Sequence, residues 1–155
     1  MALENNDSNT SETFEGKYKM LVLDLDDTLL SDDYSISHRN KEMLIKAQEM
    51  GIKVVLASGR PTPAMTKYAD ELRLDYFDSY MISFNGAVVT SMKNKEVLFE
   101  TTLTQKEIHS LYDFSVENNV HIITYSHKGV VSETESEYID VELKLTGIPH
   151  HKVQS

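Results

Sequence analysis

An α/β fold built on a doubly wound parallel sheet is predicted by two observations on this sequence. Between residues 18 and 86, short apolar runs alternate with helical stripes, in the order strand, helix, strand, helix, strand. Such alternation argues for right-handed crossovers and a sheet covered by helices. In addition, each apolar run ends in polar side chains: Asp24 after the first, Ser58 after the second and Asn85 after the third. Open α/β sheets bind ligands beyond the carboxyl ends of their strands.

The first strand is expected from about Tyr18 to Asp24, around the run Met20-Leu21-Val22-Leu23. Ser37 can cap a helix whose apolar positions Met43, Leu44, Ala47 and Met50 share a face, and Gly51 supplies its left-handed stop. The second strand begins at Ile52 and runs through Val54-Val55-Leu56-Ala57. Thr62-Pro63 reads as a second helix start, a capping hydroxyl followed by proline. Met65, Tyr68, Ala69 and Leu72 then give the i, i+3, i+4, i+7 stripe of an amphipathic helix. Met81-Ile82-Ser83 is the third strand and leads into Phe84-Asn85-Gly86.

After Gly86 the rhythm changes. Ala87 to Ser91 and Glu96 to Leu103 read as a hairpin around Lys93-Asn94-Lys95. Thr104 and Glu107 have capping-box spacing and open a helix with Ile108, Leu111, Tyr112 and Ser115 along one side. Val120 to Tyr125 turns at His127-Lys128-Gly129 into Val130-Val131, while 135–146 fits helix or strand equally. The expected organisation is a flexible tail at 1–16, a core at 17–86 and a smaller inserted α+β module at 87–155. Residues 1–16 carry Asn, Ser, Thr and Glu without a hydrophobic period.

The chemistry concentrates in Asp24-Leu25-Asp26-Asp27-Thr28. Two carboxylates spaced two apart at a strand end can enter one pocket, where one attacks while the other moves protons or holds a metal. Asp-rich turns also form simply because Asp accepts local backbone hydrogen bonds. Ser58-Gly59-Arg60 adds a hydroxyl, an unobstructed amide and a guanidinium at the second strand end. Arg60 suits a bidentate contact to a phosphate or sugar hydroxyl, and equally a surface ion pair. Asn85-Gly86 marks the exit of the third strand and is also a common tight-turn pair. No histidine has metal-site spacing, and His150-His151 reads as tail.

In order and spacing these three segments resemble the haloacid dehalogenase superfamily of phosphatases, in its Cof-type branch of sugar-phosphate and related hydrolases. Thr146-Gly147-Ile148-Pro149 is similar to a stretch of that branch's cap domain. The resemblance covers about residues 18 to 150 and implies a Rossmann-like core with an inserted, partly present cap. It implies that Asp24 is the nucleophile and Asp26 the general acid and base. Thr28, Ser58, Gly59, Arg60, Asn85 and Gly86 would serve phosphate and substrate. Mg2+ would be held by Asp24 and by Asp26 through its backbone carbonyl. Asp27 stands where many relatives of this branch have glycine. The branch also brings a later lysine and a closing acidic GDxxND-like motif; Lys144 and Lys152 follow no recognisable segment of that kind. A longer protein, of which this is the N-terminal portion, is therefore expected.

Composition narrows the remaining classes. With 155 residues, 40% hydrophobic and 26% charged, the chain suits a globular protein holding one core and part of a second. It has no cysteine, which excludes disulfides, thiolate metal sites and cysteine nucleophiles. A net charge of −10 disfavours nucleic acid and anionic membranes, and favours a cation beside any phosphorylated substrate. The lack of a signal-like start leads to the expectation of a cytoplasmic protein. The expected activity is Mg-dependent hydrolysis of a small phosphorylated metabolite, a sugar phosphate being favoured, through an aspartyl-phosphate. The alternatives are a truncated, non-catalytic relative that binds phosphorylated ligands or a partner and, more distantly, a DxD glycosyltransferase. Oligomeric state is undetermined by the sequence.

Overall fold

The computed structural model describes residues 16–126 and 129–154. The expectation for the 1–16 tail thus falls outside the described residues except at Gly16. The elements run β1 (Met20–Leu23), α1 (His38–Glu49), β2 (Lys53–Ala57), α2 (Thr62–Glu71), β3 (Tyr80–Ser83), β4 (Val88–Ser91), β5 (Val97–Glu100), α3 (Gln105–Glu117), β6 (Thr124–Ser126), β7 (Gly129–Ser132), α4 (Glu137–Thr146) and β8 (His150–Lys152).

A five-stranded sheet has the order β1-β2-β3-β4-β5. β1, β2 and β3 are parallel, with Leu23 beside Leu56 and Leu56 beside Met81. The hairpin β4–β5, expected at the start of the second module, instead extends this core sheet antiparallel from β3. A short connection lets β4 fold straight back along its predecessor, and pairing β3 satisfies backbone groups that a separate hairpin would leave bare. The core sheet therefore runs to Glu100, beyond the boundary expected at Gly86.

Leu44 of α1 and Met65, Tyr68 and Ala69 of α2 join one cluster with Val54, Leu56 and Met81. Crossovers of one hand between sequential strands bring both helices to the same face. Of the two helical layers in a doubly wound core, the described residues thus supply this one. On α1 the buried stripe is displaced from the expected one: Met43 and Met50 are exposed, while Gln48 is buried. Gln48 is satisfied there, its Nε2 donating to the Leu72 carbonyl at 2.8 Å and its Oε1 accepting from Ser79 Oγ at 3.4 Å.

The second module is the three-stranded sheet β6-β7-β8 with α3 and α4. The ambiguous 135–146 segment is a helix, capped by Ser136, whose hydroxyl accepts from the Ile139 amide, and stopped by Gly147 in the left-handed region. His150 and His151, expected in a tail, lie in β8 parallel to β7. Gly129 is required where β7 meets this segment, because a Cβ there would collide with the Pro149 carbonyl, and its φ is +139°. No helix of the described residues is long and apolar enough to cross a membrane.

Candidate active site

The site is assembled at the carboxyl ends of β1, β2 and β3. After β1 the chain turns so that the Asp24 carboxylate accepts from the Leu25 amide at 2.8 Å, and the turn closes with the Leu30 amide donating to the Leu25 carbonyl. Leu25 and Leu29 are buried beneath it. Asp26 is extended and Asp27 left-handed, at φ 54°. Two buried leucines anchor the turn, so the carboxylates between and before them project from the sheet edge. Asp27 is exposed and holds a left-handed conformation that glycine adopts freely.

The loops after β2 and β3 are stitched together. The Ser58 amide donates to the Ile82 carbonyl, the Asn85 amide to the Ser58 carbonyl and the Phe84 amide to the Arg60 carbonyl. Gly59 leaves room for the Asn85 side chain, since a Cβ there would lie 2.9 Å from Asn85 Oδ1. The result is one cleft lined by Asp24, Ser58, Gly59, Asn85 and Gly86. Ser58 Oγ accepts from the Arg60 amide at 3.2 Å, which leaves its O–H to donate. Thr28 lies exposed in the turn and lines neither this cleft nor its neighbour.

A second cleft shares Ser58 and Gly59 and is walled by Asp26, Asp27, Tyr34 and Arg60 from the core and by Glu142, Leu145 and Thr146 from α4. Arg60, 7% exposed, directs its fork onto Asp26: Nε donates to Oδ2 at 2.9 Å and Nη2 to Oδ1 at 2.6 Å. Of the two partners the sequence left open for Arg60, the guanidinium here meets a carboxylate of this chain, in an ion pair that is buried on the arginine side and not at the surface. These bonds and the positive charge hold the Asp26 carboxyl below its ordinary range, against a smaller opposing effect of burial, and raise Arg60 in turn.

Three features escaped sequence reasoning. Tyr34 lies in the loop after β1, with its ring 5.5 Å from the Arg60 guanidinium, and no period marked it. Glu142 belongs to the segment whose helical character was undecided. Thr62, expected to cap α2, instead pairs its hydroxyl with Ser83 Oγ at 2.6 Å, tying that helix to the end of β3. Ser83 is fully buried, so its hydroxyl needs a protein partner.

Residues 21–154 match the haloacid dehalogenase-like hydrolase family. The chain belongs to that family. A haloacid dehalogenase-like hydrolase of Bacteroides thetaiotaomicron has a solved structure that superimposes with a TM-score of 0.83 at 36% identity, over 90% of this chain and 53% of that one. YxeH of Bacillus subtilis, whose phosphatase designation is provisional, is 34% identical over 136 residues, 86% of this chain and 50% of YxeH. YitU of the same organism, named a 5-amino-6-(5-phospho-D-ribitylamino)uracil phosphatase, is 31% identical over 69% of this chain and 39% of its own length. The chain thus spans about half the length of the relatives it matches or less.

The donor chemistry near Asp24 suits Mg2+, a hard cation commonly held by one or two carboxylates together with waters and substrate phosphate. A carboxylate at Asp24 and a main-chain carbonyl at Asp26 are oxygen donors of that kind. Among the described residues no group of three or more His, Cys, Asp or Glu side chains gathers to complete such a site.

Proposed function

We propose that the protein is a Mg-dependent phosphomonoester hydrolase acting on a small phosphorylated polyhydroxy metabolite, a sugar or polyol phosphate. The observation that carries this reading is the meeting of Asp24, Ser58, Gly59 and Asn85 in one cleft at the ends of three parallel strands. The substrate class draws on the family resemblance and on the name of YitU.

Asp24 attacks phosphorus in line and forms an aspartyl-phosphate, dividing a slow hydrolysis into two displacements. Asp26 protonates the leaving alcohol and then takes a proton from the water that frees phosphate. Its pairing with Arg60 favours the ionised, proton-accepting form, so the acid step requires a proton gained against that pairing. The Ser58 hydroxyl, the Gly59 amide and the Asn85-Gly86 loop donate to the phosphoryl oxygens, and Thr28 supports the turn that presents both aspartates. Mg2+, held by the Asp24 carboxylate and the Asp26 carbonyl, would supply positive charge beside the phosphoryl group.

The second reading is phosphate-ester binding without turnover, favoured by the engagement of both Asp26 oxygens with Arg60. The test is an assay of the complete protein with Mg2+ on a panel of phosphate esters. Asp24→Asn should lower kcat about 10³-fold or more with the circular dichroism spectrum intact. Wild-type-like turnover by that variant sinks the nucleophile assignment, and binding of the esters without any turnover supports the second reading.

A further inference from the structure

The three hydrogen bonds of the Arg60 guanidinium reach two parts of the molecule. Nε and Nη2 fork onto Asp26 in the core, while Nη1 donates to the Leu145 carbonyl at 2.9 Å. Leu145 lies in the last turn of α4, where carbonyls lack intrahelical partners and partial negative charge gathers. The Gly147 amide takes the Leu143 carbonyl, and Arg60 takes that of Leu145. A cation of the core thus caps a helix of the second module. Its setting is confined: the Tyr34 and Tyr68 rings stand 5.5 and 5.8 Å from the guanidinium, and the Tyr68 hydroxyl donates to the Tyr34 carbonyl.

We propose that Arg60 is a positioning residue that sets the docking of α4 over the cleft and, through the same guanidinium, the orientation of the Asp26 carboxylate. The docking stands on geometry alone; its catalytic meaning rests on the role given to Asp26 above. A bidentate fork fixes the plane of the guanidinium. With the plane fixed, the direction of Nη1 is fixed too, and the Leu145 carbonyl must arrive at one place. Lysine, a compact charge on a flexible stem, cannot reproduce the rigid fork or hold both partners in this way. The coupling is reciprocal: loosening α4 frees Asp26, and removing the carboxylate frees α4.

Because the chain has no cysteine, two introduced spin labels report the distance between the parts cleanly. Glu49→Cys at the end of α1 and Glu137→Cys at the start of α4 are exposed positions. With Arg60 present the distance distribution is narrow. Arg60→Gln broadens it toward longer distances, Asp26→Ala does the same, Arg60→Lys falls between, and Asp24→Asn leaves it unchanged. Retained far-UV circular dichroism shows that each variant is folded, and Arg60→Lys serves if Arg60→Gln does not fold. Distributions for both Arg60 variants that superimpose on the parent overturn the proposal, as does equal broadening by Asp24→Asn. In the complete enzyme Arg60→Lys lowers kcat with little change in KM; a rise in KM alone would make Arg60 a substrate ligand and overturn the positioning role. Turnover that survives Asp24→Asn sinks the phosphatase mechanism and leaves the distance result standing.

Discussion

Helices α2 and α3 both begin from clear sequence signals and carry apolar stripes, yet they end in opposite surroundings. On α2, Met65, Tyr68 and Ala69 are buried under the sheet, and Leu72 just beyond is inaccessible. On α3, Ile108, Leu111, Phe114 and Val116 are all exposed, and the small polar Ser115 is the buried residue. The difference teaches that periodicity specifies a helix and its apolar face but not what covers that face. α2 is buried against the sheet, whereas α3 carries a complete capping box at its N-terminus: Thr104 Oγ1 accepts from the Glu107 amide, and the Glu107 carboxylate accepts from the Thr104 amide at 2.7 Å.

The largest effect expected from this contrast comes from equivalent truncations on the two sides. Leu72→Ala should cost about 2–5 kcal/mol by emptying a close-packed site. Leu111→Ala, which removes an exposed side chain, should stay within about 0.5 kcal/mol. Chemical denaturation of both variants checks the pair. If Leu111→Ala proved as costly as Leu72→Ala, the α3 face would be covered in solution and the contrast would fail.

A smaller effect joins the two regions through pH. The Asp26 carboxyl is held low in the folded state by Arg60, so its contribution is present above the ordinary aspartate range, near pH 4. It is lost as pH falls through the lowered folded value, because the unfolded chain takes up the proton more readily. Thermal unfolding followed from pH 7 to pH 3 should show this acid loss, and Asp26→Asn should make the profile shallower. An identical slope in the variant would remove Asp26 from the balance.

The smallest effect is local to α3. Thr104→Ala removes one half of the capping box and should weaken that helix by about 1 kcal/mol. Hydrogen exchange should quicken in the first turn of α3 while α2 stays protected. Uniform acceleration across both helices would mean that the two regions open as one unit.

The sequence by itself determined the alternation of β1, α1, β2, α2 and β3, because their periods and caps are local properties of a few neighbouring residues. It also determined that Asp24, Ser58 and Asn85 share a cleft, because parallel strands of one sheet bring their carboxyl ends to one edge. Local signals were insufficient at Gln48, where a glutamine enters the core because Leu72 and Ser79 satisfy it, and at β4–β5, where an exposed-looking hairpin joins the main sheet. They were insufficient again at 135–146, whose helix places Glu142 and Leu145 against the cleft. The partner of Arg60 was decided only by the tertiary structure. A guanidinium suits a phosphate, a sugar hydroxyl or a carboxylate alike, and the choice depends on Asp26, 34 residues earlier, and Leu145, 85 residues later, meeting it in a confined space.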